Sequence, residues 1–259
     1  MSSVDLKVAI VTGASSGIGK AAALRFGSLG FSLVISGRQS DALNETAAEC
    51  RKRGLNEHQV VTVVGDLTDE TVQDNIVQAA LENFNRIDVL VNAAGIVVTG
   101  NAADGAPISS YDHVMSINVR TIVLMTQRCI AHLVNTKGSI VNVSSINGIC
   151  SFPGVTYYCM SKSALDQFTK CLALELAAKQ VRVNSVNPGV IVTNVHKRGG
   201  MSDEQYQKFL EHSKSTHALG RVGDVEEVAK AITYLAIDAT FTTGELLRID
   251  GGRGIMSPR

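Results

Sequence analysis

Val8-Ala9-Ile10-Val11-Thr12-Gly13-Ala14-Ser15-Ser16-Gly17-Ile18-Gly19-Lys20 is the stretch from which the fold can be read. Its first four residues are apolar and mostly β-branched, which predicts a buried strand over Val8–Val11. Glycines follow at positions 13, 17 and 19, and from Lys20 onward the apolar residues recur with helical spacing. A strand that passes through a glycine turn into a helix can hold a phosphate group at the amino end of that helix.

The glycines of this turn suit a dinucleotide site on physical grounds. Without a Cβ atom, the backbone can turn tightly and approach a pyrophosphate, and the free N–H groups of the helix hold the anion. The spacing is G-x-x-x-G-x-G and not the G-x-G-x-x-G fingerprint, so a plain strand-to-helix turn is the alternative. A nucleoside-triphosphate P-loop is excluded, because Ala21 stands where Ser or Thr would bind magnesium.

Beyond this unit, short apolar runs alternate with segments of helical spacing. The helical pattern is clear where Leu165, Phe168, Leu172 and Leu176 fall on one stripe. Nearly continuous hydrophobicity in the runs predicts strands buried on both faces, and their alternation with helices predicts an α/β fold with a parallel, doubly wound sheet. We predict a single domain over residues 1–259, with helices on both faces of seven strands at Val8–Val11, 31–35, Val60–Val64, 87–91, Ser139–Val143, 181–186 and Leu246–Ile249.

Composition excludes several classes of function. The 259 residues carry 24 basic and 24 acidic side chains, so the basic excess of a nucleic-acid-binding protein is missing. No apolar run is long enough to span a bilayer and no secretory leader is evident, so we expect a cytoplasmic protein with no membrane partner. The five cysteines are odd in number and match no zinc spacing, which favours reduced thiols and predicts no metal site.

Further short motifs follow the glycine turn in a fixed order. They are Gly65-Asp66-Leu67, Asn92-Ala93-Ala94-Gly95, Asn118, Ser145, Tyr158 with Lys162, Asn187-Pro188-Gly189 with Thr193, and Ile249-Asp250-Gly251-Gly252. Together with T-G-x-x-x-G-x-G at residues 12–19, this ordered set resembles the compact subgroup of the short-chain dehydrogenases/reductases. The resemblance covers essentially the whole chain, and its one departure is Ala93, where the family has a second asparagine.

The resemblance implies a Rossmann-type fold and a set of site residues. The catalytic residues would be Asn118, Ser145, Tyr158 and Lys162. Lys162 would also hold the nicotinamide ribose, and Asn118 would anchor a water that relays protons to Lys162. The residues expected to bind the dinucleotide are Gly13, Ser15, Ser16, Gly17, Ile18, Gly19, Arg38, Asp66, Leu67, Asn92, Ala93, Gly95, Tyr158, Lys162, Pro188, Gly189, Ile191 and Thr193.

The residue types at three of these positions suit carbonyl chemistry. Tyr158 and Lys162 share a face of a predicted helix, so the ammonium is expected to lower the pKa of the phenol. Tyr158 then acts as general acid in reduction and general base in oxidation, while Ser145 hydrogen-bonds the substrate oxygen. Tyr157 has no cation four residues further on, and the family spacing selects Ser145 over Ser144.

The end of the second predicted strand bears on cofactor choice. An acidic residue about 20 positions after the glycine turn would bind the ribose of NAD, whereas this strand ends in Ser36-Gly37-Arg38. Gly37 leaves room, and Arg38 offers a fork of N–H donors suited to a 2′-phosphate. We therefore expect NADP(H), with NAD(H) as the alternative. A solvated Arg38 is the competing interpretation, and Asp41 is expected to cap or begin the next helix.

These features predict hydride transfer between NADP(H) and a ketone or secondary alcohol. Carbonyl reduction is the expected direction, as in similar 3-oxoacyl-carrier-protein reductases and carbonyl reductases. An NAD-dependent alcohol or steroid dehydrogenase is the alternative within the family. A nucleotide-sugar epimerase or dehydratase would be longer, and a non-catalytic dinucleotide-binding protein would have lost Tyr158 or Lys162. On the resemblance alone, we expect a homotetramer.

Two stretches with little pattern, 96–107 and 190–202, follow predicted strands and are expected to contact a small-molecule substrate. We predict a small substrate lid around residues 190–215, in which adjacent glycines allow movement. The segment 203–213 is predicted as a short helix whose Tyr206, Phe209 and Leu210 face either an apolar substrate or the core. The basic cluster His196-Lys197-Arg198 either meets an anionic substrate or is solvated.

Overall fold

All the predicted strands form, and each neighbouring pair in the sheet runs parallel. In the computed structural model, which describes residues 6–256, they are β1 (Val8–Val11), β2 (Ser32–Gly37), β3 (Val60–Val64), β4 (Val89–Asn92), β5 (Ser139–Val143), β6 (Arg182–Pro188) and β7 (Leu246–Ile249). Their order across the sheet is β3-β2-β1-β4-β5-β6-β7. Because the winding changes side between β3 and β4, the sheet is the predicted Rossmann-type, doubly wound one.

Some strand ends differ from the predicted apolar runs. Strand β2 continues to Gly37, which pairs with Val64, and β6 continues to Pro188, which pairs with Ile249. Strand β4 starts only at Val89. Polar residues and glycine at the carboxyl ends find partners in the neighbouring strand, so the ladder extends past the last apolar residue. The hydrophobic pattern therefore predicts where each strand lies but not the residue at which it ends.

Helices cover both faces of the sheet within residues 6–256. They are α1 (Gly17–Ser28), α2 (Ser40–Lys52), α3 (Glu70–Phe84), α4 (Ile108–Met115), α5 (Thr121–Thr136), α6 (Thr156–Ala177), α7 (Val195–Arg198), α8 (Asp203–Ser215) and α9 (Val225–Thr233). Asp41 lies in the first turn of α2, as expected. The predicted short helix over 203–213 is α8. Between α4 and α5, the residues Ser116–Arg120 form a π-turn that the sequence pattern did not indicate.

Alternate residues of each strand enter opposite layers of the core. Val11 packs in the layer that contains Phe26 of α1, whereas Ile10 packs in the layer that contains Met125 of α5 and Leu172 of α6. Both strand residues are fully buried. A sheet covered on both faces needs apolar side chains at every position, which explains the near-continuous hydrophobic runs.

Three further features concern the thiols, the candidate metal ligands and the hydrophobicity of the helices. All five cysteines are free thiols, and burial raises the pKa of Cys129 to about 12. Between residues 6 and 256, no cluster of three or more His, Cys, Asp or Glu side chains could hold a metal ion. In the same range, no helix combines the length and hydrophobicity needed to cross a membrane.

Candidate active site

The glycine turn brings the end of β1 against the loop that follows β4. Gly13 has a φ of +67°, and a Cβ atom there would lie 2.8 Å from the backbone nitrogen of Ala94. A Cβ atom on Gly19 would overlap the carbonyl oxygen of Gly13. Both close approaches require glycine. Helix α1 has no acidic residue in its first turn, and its N-cap Ser16 makes no side-chain cap bond, so its amino end is suited to an anion.

The end of β2 lies close against the glycine turn. A Cβ atom on Gly37 would lie 3.0 Å from the Cβ atom of Ser15, so a glycine keeps β2 and the turn close together. Across the sheet, a Cβ atom on Gly17 would lie 3.3 Å from Cγ2 of Thr193, which joins the turn to the loop after β6. This cradle of glycines beside a free helix end fits a dinucleotide and favours that interpretation over a plain turn.

Arg38 is not alone at the rim of this cradle. Its Nη1 atom lies 3.6 Å from Oδ2 of Asp66, and both side chains are about half exposed, at 56% and 46%. The N–H and hydroxyl of Thr68 donate to the other oxygen of Asp66 at 2.9 and 2.8 Å. Chiefly because of Thr68, the pKa of Asp66 lies below its ordinary value. A carboxylate therefore stands beside Arg38 in space, although none stands beside it in the sequence.

Thr12 has a role that the sequence reasoning missed. Its Oγ1 atom accepts hydrogen bonds from the backbone N–H groups of Ala93 at 3.1 Å and Ala94 at 3.3 Å. The hydroxyl also donates to the carbonyl oxygen of Val91 at 3.4 Å. Thr12 thus fixes the loop after β4 against the glycine turn. Thr12 contacts only the backbone N–H at position 93, so this contact does not depend on the side chain there.

Asn92 was expected to bind the dinucleotide, but its side chain points elsewhere. Its amide nitrogen donates to Oδ1 of Asn142 at 2.9 Å and to Oγ1 of Thr126 at 3.2 Å. The amide nitrogen of Asn142 in turn donates to Thr169 at 2.9 Å. Asn92 is only 1% exposed. Its side chain therefore ties β4 and β5 to the helices behind them, because an amide in this buried layer must find its partners there.

Ser145, Tyr158 and Lys162 come together where β5 ends against α6. The Nζ atom of Lys162 donates to the carbonyl oxygen of Val143 at 2.9 Å and lies 5.7 Å from the centre of the Tyr158 ring. The hydroxyl of Ser145 accepts from the N–H of Asn147 at 3.1 Å, and Ser145 is 7% exposed. Tyr158 is partly exposed. A hydroxyl, a phenol and an amine thus share one edge of the cleft.

The expected lowering of the Tyr158 pKa is wrong for this structure. Burial of the phenol raises the pKa of Tyr158 to about 12, against a smaller lowering by its hydrogen bond with Ser145. Burial also lowers the pKa of Lys162 to about 8. Because Nζ bonds a backbone carbonyl and lies over the ring, its charge does not offset the loss of solvation at the phenol oxygen. The phenol is therefore protonated at neutral pH.

Tyr157 and Ser144, the chain neighbours of Tyr158 and Ser145, bond backbone carbonyl groups. The Tyr157 hydroxyl donates to the carbonyl oxygen of Ala106 at 3.0 Å, and its ring packs edge-on against Tyr111 at 5.6 Å. The Ser144 hydroxyl donates to the carbonyl oxygen of Lys162 at 3.3 Å. Both contacts support the structure, and they favour Tyr158 and Ser145 as the groups that face the cleft.

Asp166 is a second residue that the sequence reasoning missed. It lies one helical turn after Lys162 and is 4% exposed. Its two carboxylate oxygens accept from the amide nitrogen of Asn187 at 3.1 and 2.9 Å, and that nitrogen also donates to the carbonyl oxygen of Ser145 at 2.9 Å. Burial raises the pKa of Asp166. Asp166 therefore supports the backbone that carries Ser145 through Asn187.

Asn118 lies in the π-turn and is fully buried. Its Oδ1 atom accepts from the N–H of Ile96 at 2.9 Å, and both amide hydrogens are used, by the carbonyl oxygen of Ile96 and by Ser161. These bonds place the loop after β4 beside α6. Gly95 of this loop lies close to Lys162, since a Cβ atom on Gly95 would be 3.6 Å from Nζ of Lys162. The predicted water relay stays a prediction, and the side chain itself acts as a clamp.

The loop after β6 is held in two places, by Tyr206 of the lid and by His217 just beyond it. The hydroxyl of Tyr206 on α8 donates to the carbonyl oxygen of Thr193 at 2.8 Å and accepts from its N–H at 3.2 Å. Nε2 of His217 accepts from the N–H of Val190 at 3.1 Å, and a Cβ atom on Gly189 would lie 2.8 Å from it. The sequence left open whether Tyr206 faces a substrate or the core. Tyr206 is only 4% exposed, so it faces the core.

The predicted residues thus lie along the carboxyl edge of β1, β2, β4, β5 and β6, where an open α/β sheet binds its ligands. The sheet order, the glycine cradle and the Ser–Tyr–Lys group define a class, the Rossmann-type oxidoreductases that use a nicotinamide dinucleotide.

Comparison with known proteins narrows this class. A family model described as Enoyl-(Acyl carrier protein) reductase matches residues 13–253. Meso-2,3-butanediol dehydrogenase from Serratia marcescens is 34% identical over 96% of this chain and 94% of its own length. The 3-oxoacyl-(acyl-carrier-protein) reductase FabG from Thermotoga maritima is 36% identical over 95% of this chain and 97% of its own length. A crystal structure of a short-chain dehydrogenase/reductase of unknown function from Caenorhabditis elegans, solved with cofactor, superposes with a TM-score of 0.92. Its sequence is 38% identical, and the match covers 97% of this chain and 96% of that one.

The chain belongs to the short-chain dehydrogenase/reductase family. The resemblance on which the sequence analysis rested is confirmed.

Proposed function

We propose that the protein reduces a carbonyl group to an alcohol and prefers NADPH as its cofactor. The observation that carries the proposal is the meeting of Ser145, Tyr158 and Lys162 at the carboxyl edge of the sheet, beside the glycine cradle. When bound, the dinucleotide supplies the hydride. The residues that would hold it are Gly13, Ser15, Ser16, Gly17, Ile18, Gly19, Arg38, Asp66, Leu67, Asn92 through its backbone, Ala93, Gly95, Pro188, Gly189, Ile191 and Thr193, together with Tyr158 and Lys162.

The side chains at the cleft suit the reductive direction. With a pKa raised to about 12, the Tyr158 phenol keeps its proton at neutral pH and can donate it to the carbonyl oxygen as negative charge builds there. The Ser145 hydroxyl is placed to hydrogen-bond the same oxygen. Lys162, fixed by Val143, provides a group with a pKa of about 8 from which the phenol can recover its proton.

The preference for NADPH rests on Arg38 and on the space beside Gly37. The guanidinium is half exposed at the rim of the cradle, where a 2′-phosphate would meet its fork of donors. The nearby carboxylate of Asp66 opposes this by repelling a phosphate, and it supports NAD(H) as the second candidate. A direct contact at 3.6 Å between exposed groups is weak, so an incoming phosphate can displace it.

Two further proposals follow from the family and from the contacts of α8. Residues 190–215 form a lid that opens for the substrate, anchored at Thr193 by Tyr206. The assembled protein is a homotetramer, which light scattering would test.

The decisive experiment measures NADPH oxidation against a panel of diketones, quinones, acyl thioesters and steroids. Tyr158→Phe should lower kcat by roughly 10²- to 10⁴-fold, the range expected for a lost general acid. Tyr157→Phe is the matched control and should keep its activity, because the Tyr157 hydroxyl bonds only a backbone carbonyl. Equal losses in the two variants would contradict the assignment.

Cofactor preference needs its own pair of variants. Arg38→Asp should shift the ratio of NADPH to NADH affinity toward NADH, because a second carboxylate would then face the 2′-phosphate. Arg53→Asp makes the same charge change at the exposed end of α2 and should leave the ratio unchanged. An unaltered ratio in Arg38→Asp would remove the argument for NADPH.

A further inference from the structure

Arg253, near the far end of the chain, places a positive charge against Phe152. It begins a short helical turn, Arg253–Ile255, after β7. Its guanidinium carbon lies 4.6 Å from the centre of the Phe152 ring. Phe152 belongs to the connection between Ser145 and Tyr158, and its carbonyl oxygen contacts the thiol of Cys159, next to the catalytic tyrosine. The stacked pair therefore lies beside the segment that joins Ser145 to Tyr158.

Within the part of the chain that the structure describes, this charge has no acidic partner in direct contact, although the Asp250 carboxylate attracts it at longer range. No ion pair or hydrogen bond to the Arg253 side chain occurs there, and its Nε atom is buried without a partner. The nearest acid in the sequence, Asp250, uses one oxygen for the N–H of Gly252 at 3.0 Å and the other for that of Gly254 at 2.7 Å. Burial lowers the pKa of Arg253, which shows that the charged form is poorly solvated.

The charge of Arg253 also acts on His196, a residue of the lid. Burial lowers the pKa of His196 on α7, and the positive charge of Arg253 lowers it further. The His196 ring packs against Phe209 at 4.6 Å, so it is part of the lid's inner surface. Lys197 is already paired with Asp203 at 2.6 Å, and Arg198 is exposed. Among the described residues, Arg253 is thus a cation that stacks on Phe152, acts on His196 and, unlike Lys197, has no ion-pair partner in contact.

We propose that Arg253 binds a carboxylate on the substrate, so that the preferred substrates are oxo acids and not neutral ketones. The inference rests on the proposed carbonyl reduction and names its substrate class. A half-buried guanidinium with no carboxylate in contact is costly, and a carboxylate that pairs with its planar fork reduces that cost. Phe152 holds the guanidinium plane by stacking, while the apolar rings of the lid close over the remainder of the substrate.

The test compares oxo acids with their own methyl esters, which differ in charge but share the ketone. Acetoacetate, levulinate and 5-oxohexanoate form three such pairs of increasing length. For the best pair, kcat/KM of the acid should exceed that of the ester by roughly 10- to 100-fold, the value of a hydrogen bond to a charged group. Arg253→Met keeps an unbranched side chain over Phe152 and should abolish this ratio while leaving the ester's kcat/KM nearly unchanged.

Two controls separate charge from structure. Arg253→Lys keeps the charge and should retain part of the ratio, and Arg198→Met removes an exposed charge from the lid and should retain all of it. The thermal unfolding midpoint with each acid and each ester is the second readout, because it reports binding without turnover. The acids alone should raise the midpoint of the wild-type protein, and Arg253→Met should lose this protection.

The outcomes distinguish the two proposals. If neutral ketones are reduced but the acids show no advantage, or if Arg253→Met keeps the advantage, the carboxylate site is refuted while carbonyl reduction stands. If no ketone is reduced yet the acids protect the wild-type protein and not Arg253→Met, the site stands and carbonyl reduction fails. If Arg253→Met only lowers the midpoint or changes the oligomeric state, Arg253 is structural and the inference is wrong.

Discussion

Replacing Gly13 with alanine tests whether the close contact between β1 and the loop after β4 holds the site together. Two costs can be read from the structure. A residue with a Cβ atom at a φ of +67° adopts the left-handed conformation, which costs roughly 1–2 kcal/mol. The new Cβ atom would lie 2.8 Å from Cα and N of Ala94, and such overpacking against backbone costs roughly 1–3 kcal/mol more. The total loss of unfolding free energy should be about 2–5 kcal/mol.

Gly30 is a matched control for the first of these costs. It also has a positive φ, +81°, but a Cβ atom there would meet nothing within 4 Å. Gly30→Ala should therefore show only the conformational cost. Urea unfolding of the two variants, with the midpoint and the slope fitted for each, should give a difference of roughly 1–3 kcal/mol between them.

The same contact positions the cofactor cradle, so binding should separate the variants as well. NADPH fluorescence can be titrated directly, since the chain contains no tryptophan. Gly13→Ala should weaken binding because the turn must move away from Ala94, and Gly30→Ala should leave it unchanged. Equal destabilisation by both substitutions, together with unchanged NADPH affinity, would refute the argument that close approach requires this glycine.

Two other predictions concern α6. Burial lowers the pKa of Lys162 from 10.5 to about 8, so between these values the unfolded chain binds more protons and folding becomes more favourable as pH rises. Relative to Lys162→Met, the wild-type protein should gain roughly 2–3 kcal/mol of unfolding free energy between pH 8 and 10, and a constant difference in urea unfolding would contradict this. Asp166→Leu should leave one amide hydrogen of Asn187 unpaired, cost about 1–3 kcal/mol and lower kcat more than it raises KM, because Asn187 holds the backbone of Ser145. Asp166→Asn should recover part of kcat, and identical kinetics in both Asp166 variants would rule out the positioning role.

Local features explain what could be predicted well. The apolar runs located all the strands, because a sheet covered on both faces buries every strand residue. The glycine turn could be recognised in the sequence because its geometry requires glycine. Gly13 has a positive φ, and both Gly13 and Gly19 lie too close to other backbone atoms to carry a side chain. Tyr158 and Lys162 share a helix, so their spacing alone placed them together.

By itself, then, the sequence determined the fold class, the dinucleotide turn and the identity of the tyrosine–lysine pair, since each depends on residues within a turn or two of one another. Tertiary structure decided the rest. The partners of Asn92 and Thr12, the support of Asn187 by Asp166 and the stacking of Arg253 on Phe152 all join segments far apart in the chain. The Tyr158 pKa was predicted with the wrong sign for the same reason. Spacing shows that a cation is near, but only the folded chain shows how much water each group has lost, and here that loss is the larger effect.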